Sequence, residues 1–139
     1  MPTIYLLDSN IITALTQRNP IVQQKALELQ PDDEIVTCFV VVGEWEYGIL
    51  NAQGRWKQQE IREQGNLIFA SLYRIIESSP EICTAYGEIF AELRRAGTMI
   101  PQNDVWIAAV ARVLGATVIT HDAHFKNVSN ISLADWTVL

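Results

Sequence analysis

The 139-residue sequence predicts an α/β fold built on a mainly parallel sheet. Three observations carry that expectation. Short, β-rich apolar runs alternate with longer segments of helical period. Hydrophobic residues make up 49% of the chain, enough for a real core, while Gly and Pro number only 7 and 5, too few for a disordered composition. Two apolar runs end in the same way, YLLD-S-N at residues 5–10 and VIT-H-D at 118–122, each with a carboxylate at or just beyond the run. The length is that of one ordinary domain, spanning 1–139, with no internal repeat.

The elements follow in order. Residues 3–8, TIYLLD, read as a strand because the run is short and contains Ile and Tyr. Ser9 and Asn10 have N-cap chemistry, and IITALTQR follows as a helix. Asn19-Pro20 breaks it, and Pro20 suits the first turn of a second helix through Gln30. Pro31-Asp32-Asp33 is a turn, and EIVTCF a second strand. From Val40 the pattern becomes helical and ends near Gly54. Residues 55–73 form a long helix that pairs with its predecessor as a hairpin. RIIES is a short strand. Pro80 opens a helix on which Ile82, Tyr86, Ile89, Phe90 and Leu93 share one face, with Gly97 as C-cap. After Pro101, NDVWIAAVARVLG is another helix, ended by Gly115. ATVIT is a third clear strand, HDAHFKNVSN a loop, and ISLADWTVL carries a last short strand.

The formal charge of −6 argues against a general nucleic-acid coat, which should be basic. It leaves room for an enzyme that handles nucleic acid locally, because carboxylates that bind a cation are neutralised when it enters. No apolar run approaches the roughly 20 residues of a membrane helix. The first residues lack a basic segment and a signal-peptide core, so a cytoplasmic protein is expected. Cys38 and Cys83 lie far apart beside apolar neighbours, which fits reduced core thiols better than a disulfide or a zinc site.

Four acids carry the chemistry, and each alone has a plain structural reading. Asp8 follows the first strand and can cap a helix. Glu44 sits in the apolar stretch VVVGEWEYG; Glu46, two positions on, points about 200° away around a helix, so one of the pair faces inward. An isolated buried carboxylate needs a partner or a cation. Asp104 starts a helix, where the dipole favours an acid by about 0.3–1 kcal/mol. Asp122 lies two residues past a strand, flanked by His121 and His124, which read as ordinary loop histidines because no zinc-type spacing accompanies them. Together the four can meet at one edge of a parallel sheet, where sites gather. Clustered carboxylates repel, and a divalent cation relieves that repulsion. Oxygen donors without Cys favour Mg²⁺ or Mn²⁺, and such sites suit phosphoryl transfer.

The motifs LLDSNI, GEWEYG, NDVWIAAVA and VITHDAHF with a terminal DW come in one order along the whole chain. In that order the sequence resembles the PIN-domain ribonucleases, and within them the VapC-like toxins of type II toxin–antitoxin systems. Trp45 departs from that family's pattern, which has Leu at the corresponding place in E-L-x-x-G. The resemblance implies a three-layer sandwich around a sheet of about four or five strands. It also implies a Mg²⁺- or Mn²⁺-dependent endoribonuclease that hydrolyses RNA with metal-activated water. Asp8, Glu44 and Asp104 match the three core acids and Asp122 a more variable fourth. Thr120 and Asn10 match supporting polar positions. The implied partners are a cognate small antitoxin and a second copy of the chain. The apolar stretch around Trp45, Tyr47, Ile49, Leu50 and Trp56 is a candidate groove for the antitoxin.

Phosphate contacts are to be sought among Arg55, Lys57, Arg62, Arg94, Arg95 and Arg112, with Arg94 and Arg95 favoured because they lie just upstream of Asp104. Specific RNA recognition usually targets unpaired loops, which fits a structured RNA such as tRNA. The alternative is a non-catalytic domain of the same fold serving protein contacts. A haloacid-dehalogenase-type phosphatase fits less well, since its D-x-D is replaced here by D-S-N. No G-x-G-x-x-G follows the first strand, which disfavours a dinucleotide-binding domain.

Overall fold

The apolar run of residues 4–7 becomes the central strand of the sheet. The computed structural model describes residues 2–139. Its strands are β1 (Ile4–Leu7), β2 (Glu34–Cys38), β3 (Arg74–Ile76), β4 (Thr117–Ile119) and β5 (Ser132–Ala134). Its helices are α1 (Ser9–Thr16), α2 (Pro20–Leu27), α3 (Phe39–Asn51), α4 (Arg55–Ser71), α5 (Pro80–Ala96) and α6 (Gln102–Leu114). The five strands run parallel in the order β3-β2-β1-β4-β5. The chain therefore steps outward from β1 to β3, then returns to the other side of β1 for β4 and β5. Right-handed crossovers place α1–α4 on one face of the sheet and α5–α6 on the other. The direction of winding reverses between β1 and β4, and crevices for ligands form beyond the carboxyl ends of strands at such a switch.

Parallel strands covered on both faces should be apolar throughout, and the central ones are. Leu6, Leu7, Val36, Cys38, Val118 and Ile119 are fully buried. Helix α6 is buried on most sides: Val105, Ile107, Ala108, Ala109 and Val110 have no exposed surface. Its small alanines let it lie close to the sheet. On α5 the expected face is real, with Ile82, Ile89 and Leu93 buried and Tyr86 and Phe90 half-buried beside them. Ser79 caps α5 by accepting from the Ile82 N–H at 3.2 Å, and Gly97 ends it at φ 69. Gly115 ends α6 in the same left-handed conformation.

Several details depart from the expected ones. Helix α2 stops at Leu27, because Asp33 turns the chain by accepting from the N–H groups of Gln30 and Thr3. The loop after β4 contains a 3₁₀ turn, Ala123–Asn127, anchored by fully buried Phe125. Cys38 is a core thiol, and burial pushes its pKa up to about 11, but Cys83 lies exposed on α5.

Trp45 in the place of the smaller family residue has a counterpart in α4. A Cβ added at buried Gly65 would run into the Trp45 indole, 2.8 Å from Cε2 and against Nε1. The two helices of the hairpin close together because Gly65 leaves that space. Gly65→Ala should therefore destabilise the chain by about 1–3 kcal/mol, although Ala is the better helix former. Gly87→Ala, where an added Cβ meets nothing within 4 Å, should stabilise it slightly. Adding Trp45→Leu to Gly65→Ala should recover most of the loss. Urea unfolding of the three variants checks all three signs.

Candidate active site

The pairing of β1 with β4 places Leu7 opposite Ile119, so the next residues, Asp8 and Thr120, leave the sheet side by side. The Asp8 N–H donates to the Ile119 carbonyl at 3.0 Å, and the Thr120 N–H to Ala134 on β5 at 3.0 Å. Three strands are thus tied together at the edge where the acids stand. Thr120 Oγ1 donates to Asp8 Oδ2 at 2.7 Å. The same oxygen accepts from Asn10 Nδ2 at 3.3 Å and from the Asp122 N–H at 2.9 Å. Asn10 Oδ1 takes the His121 N–H at 3.1 Å. Thr120 and Asn10 therefore staple the start of α1 to the loop that carries Asp122.

By residue type Ser9 and Asn10 suit the α1 cap, and Asp8 reads as either a cap or a ligand. In the structure Asp8 is the N-cap: its Oδ1 accepts from the Ser9 N–H at 2.8 Å. Its two oxygens divide the work, Oδ1 capping the helix and Oδ2 facing the polar network. Asp8 is 3% exposed, so its carboxylate is nearly cut off from water.

Glu44 comes one and a half turns into α3, which starts directly after β2. One of its carboxylate oxygens, Oε1, is buried without a hydrogen-bond partner. Glu46 points away from it, outward, and is held by Arg62 through two 3.0 Å bonds. Asp104 lies in the first turn of α6 and is buried. Asp122 caps the 3₁₀ turn by accepting from the His124 N–H at 2.9 Å.

That turn swings His124 back over the acids. Its Nδ1 stands 3.1 Å from Asp104 Oδ2 and 3.0 Å from Asp122 Oδ1. Asp104, Asp122 and His124 each offer one donor atom within 4.8 Å of the others. Sequence reasoning passed over His124 as a loop residue. The missing signal was the 3₁₀ turn, which no residue period in HDAHF announces. His121 faces elsewhere, 2.8 Å from Asp135, whose pKa is lowered despite partial burial by bonds from Thr137 and His121.

The acids feel one another. Burial raises the pKa of Asp8, against hydrogen bonds from Thr120 and Ser9, and the Asp122 charge adds to the rise. Burial raises Glu44 too, with Asp8 and Asp104 adding and an Asn103 hydrogen bond opposing. Asp104 is raised by burial, opposed by His124, and pushed further by Asp8 and Asp122. An orphaned buried carboxylate oxygen and a set of mutually repelling acids fit a hard divalent cation. The imidazole of His124 widens the donor set without changing its predominantly oxygen character.

The basic candidates separate clearly. Arg62 is bound to Glu46, Lys57 to Glu60 at 3.8 Å, and Arg112 to Glu92 and the Ser129 carbonyl. Arg55 at the start of α4 and Arg94 and Arg95 in the last turn of α5 are exposed. In the α3–α4 hairpin Ile49 is core, whereas Tyr47, Leu50 and Trp56 are exposed. No helix among the described residues is long and apolar enough to cross a membrane.

A doubly wound parallel sheet with acids gathered at the β1/β4 switch suits a divalent cation and phosphoryl transfer. The PIN domain model matches residues 5–131, and the chain belongs to the PIN-domain family. It is 32% identical to Ribonuclease VapC1 of Haemophilus influenzae strain R2866, over 96% of this chain and 98% of that protein. It is also 32% identical to Ribonuclease VapC2 of Rickettsia felis, with the same coverage. The fold is similar to that in VapBC2 from Rickettsia felis bound to a DNA fragment from their promoter, with a TM-score of 0.89, 26% identity, and 96% and 99% of the two chains covered. It is likewise similar to VapBC-1 from nontypeable Haemophilus influenzae, with a TM-score of 0.85, 30% identity, and 98% and 100% covered.

The raised carboxylates give a signed pH dependence. Asp8, Glu44 and Asp104 hold protons in the folded chain that the unfolded chain releases at its ordinary values of 3.8, 4.5 and 3.8. Their contribution to stability therefore falls as pH rises through the raised values. In chelator, Asp8→Asn should melt above the wild type at neutral pH, and the gap should close on acidification. Mg²⁺ or Mn²⁺ should reverse the order, stabilising the wild type by about 2.7 kcal/mol at a hundred times its dissociation constant. Thermal melts across pH, with and without metal, check each sign.

Proposed function

We propose that the chain is a metal-dependent endoribonuclease and the toxin of a toxin–antitoxin pair, held inactive by a small cognate antitoxin. The observation that carries the proposal is the convergence of Asp8, Glu44, Asp104 and Asp122 at the sheet's switch point in a chain of the PIN-domain family. The names of its relatives, Ribonuclease VapC1 and VapC2, support RNA as the substrate.

Asp8, Glu44 and Asp104 would hold Mg²⁺ or Mn²⁺, with Glu44 Oε1 supplying an oxygen that no protein group occupies. When bound, such a cation supplies a lowered pKa for water and positive charge against the phosphoryl oxygens in the transition state. The protein's own groups do the rest. Thr120 fixes Asp8 Oδ2, and the Thr120–Asp122 and Asn10–His121 bonds hold Asp122 at the same edge. Asp122 is placed to orient the attacking water and draw its proton. The His124 imidazole between Asp104 and Asp122 restrains both carboxylates. Hydrolysis of the diester by water leaves a 5′-phosphate and a 3′-hydroxyl.

Arg94 and Arg95, exposed and unpaired with any described acid, are the candidate phosphate contacts at this end of the molecule. The exposed side chains of Tyr47, Leu50 and Trp56 on the α3–α4 hairpin suit an apolar protein segment, and the antitoxin is the proposed occupant. A homodimer, a structured RNA substrate such as tRNA, and action in the cytoplasm complete the proposal.

Cleavage of a total RNA pool in Mg²⁺, with mapping of the ends, tests it. The wild type should cut and leave 5′-phosphates, and chelator should stop it. Asp8→Asn and Asp104→Asn should lose essentially all activity while remaining folded. Thr120→Val, which keeps the size of Thr120 but drops its bonds to Asp8 and Asp122, should lose about 10- to 100-fold. Normal cutting by folded Asp8→Asn would refute the assignment.

A further inference from the structure

The acids account for the phosphate but leave the adjoining groove unused. It encloses about 1080 Å³ between α1, α3, α4 and α6. That is at or above the roughly 300–1,000 Å³ of ordinary small-molecule pockets, so it suits a length of polymer better than a compact metabolite. Glu44 and Asn103 line it at the acid end. Anything whose phosphate sits at the acids has its next group at the mouth of this groove.

The groove has two kinds of wall. One is aromatic. Trp106, two residues after Asp104, lies flat on Tyr86, with ring centroids 3.9 Å apart and planes 20° apart. Phe39, the first residue of α3, meets the same indole edge-on at 6.2 Å and 67°. Trp106 and Phe39 both line the groove and are only half-buried, although Val105 and Ile107 on either side of Trp106 are wholly buried. Apart from the ion pair of Lys57 and Glu60, the other wall is polar and uncharged, with Ser9, Thr13, Thr16, Gln17 and Gln64. These side chains both donate and accept hydrogen bonds.

Two half-buried aromatic rings opposite neutral donors and acceptors suit a planar ring with a hydrogen-bonding edge. We infer that the Trp106–Phe39 shelf is a subsite for one unpaired base of the RNA strand, next to the phosphate held at the acids. The inference rests on the ribonuclease reading above and adds what it lacks: a contact to the base rather than the backbone. Neighbouring Tyr86 backs the indole and keeps its plane fixed. Stacking needs no positive charge, so it can hold RNA on a chain of net charge −6. Trp106 is thus a positioning residue for substrate.

The test uses the full chain carrying Asp122→Asn, which keeps the proposed metal ligands Asp8, Glu44 and Asp104 and removes the group proposed to draw the proton from water. Its binding to fluorescein-labelled oligoadenylate is compared, by anisotropy in Mg²⁺, with binding to an abasic ribose-phosphate oligomer of equal length. Oligoadenylate should bind roughly 5- to 100-fold more tightly. Adding Trp106→Leu should bring oligoadenylate down to the abasic level and leave abasic binding unchanged. Trp106→Phe, which keeps an aromatic face, should retain most of the preference. With Asp122 restored, Trp106→Leu should raise KM for RNA by a similar factor with kcat nearly kept. Equal binding of the two oligomers by the Asp122→Asn chain overturns the subsite, even if Trp106→Leu does not fold. A Trp106→Leu chain that loses both oligomers equally also overturns it. A wild type that cuts RNA but ignores the base fails this inference alone, whereas one that cuts no RNA with any divalent cation fails the ribonuclease reading.

Discussion

The register of β1 against β4 is the constraint on which the site depends. Side chains alternate along a strand, so a one-residue slip would send Asp8 to the other face and separate it from Thr120. Fully buried Leu6, Leu7, Val118 and Ile119 forbid that slip, because it would turn apolar side chains out of the core. The 2.7 Å bond from Thr120 to Asp8 then completes at the sheet edge what the core packing imposes inside it. Asn10 and the Asp122 N–H share the same hydroxyl, so the position of one strand end fixes two acids and the start of a helix.

This arrangement trades stability for function. Asp8 and Asp104 are buried at 3% and 7% exposure, and Glu44 faces them with an unpaired oxygen. Each of the three has its pKa raised by burial and by its acidic neighbours. Protons, or a divalent cation, are what a cluster of this kind can use to lower its repulsion. Around it the surface acids are handled differently, with Glu46, Glu60 and Glu92 each matched to a basic side chain. The contrast separates charges paired at the surface from charges held ready for a ligand.

Much of this was legible in the sequence, for identifiable reasons. The strands and helices showed because apolar runs, Pro20, Pro80, Gly97 and Gly115 mark the boundaries by local chemistry. Helical geometry alone required Glu44 and Glu46 to face different ways, and packing decided that Glu44 turns inward and Glu46 outward. What escaped depended on non-local packing. His124 reaches Asp104 only because buried Phe125 anchors a 3₁₀ turn that has no periodic signature. The role of Gly65 appears only when Trp45 on the neighbouring helix is in view. Asp8 was read as either a cap or a ligand, whereas a carboxylate has two oxygens and this one uses them differently.

Two donor sets overlap at Asp104: Asp8 and Glu44 on one side, Asp122 and His124 on the other. Diffraction from Mn²⁺-soaked crystals of the wild type, collected at the manganese edge, tests the central claim most directly. The account predicts an anomalous peak bounded by the carboxylates of Asp8, Glu44 and Asp104, within reach of Glu44 Oε1, and absent in Asp8→Asn. A peak held by Asp104, Asp122 and His124 alone, unchanged by Asp8→Asn, or no peak at these acids at all, would contradict it.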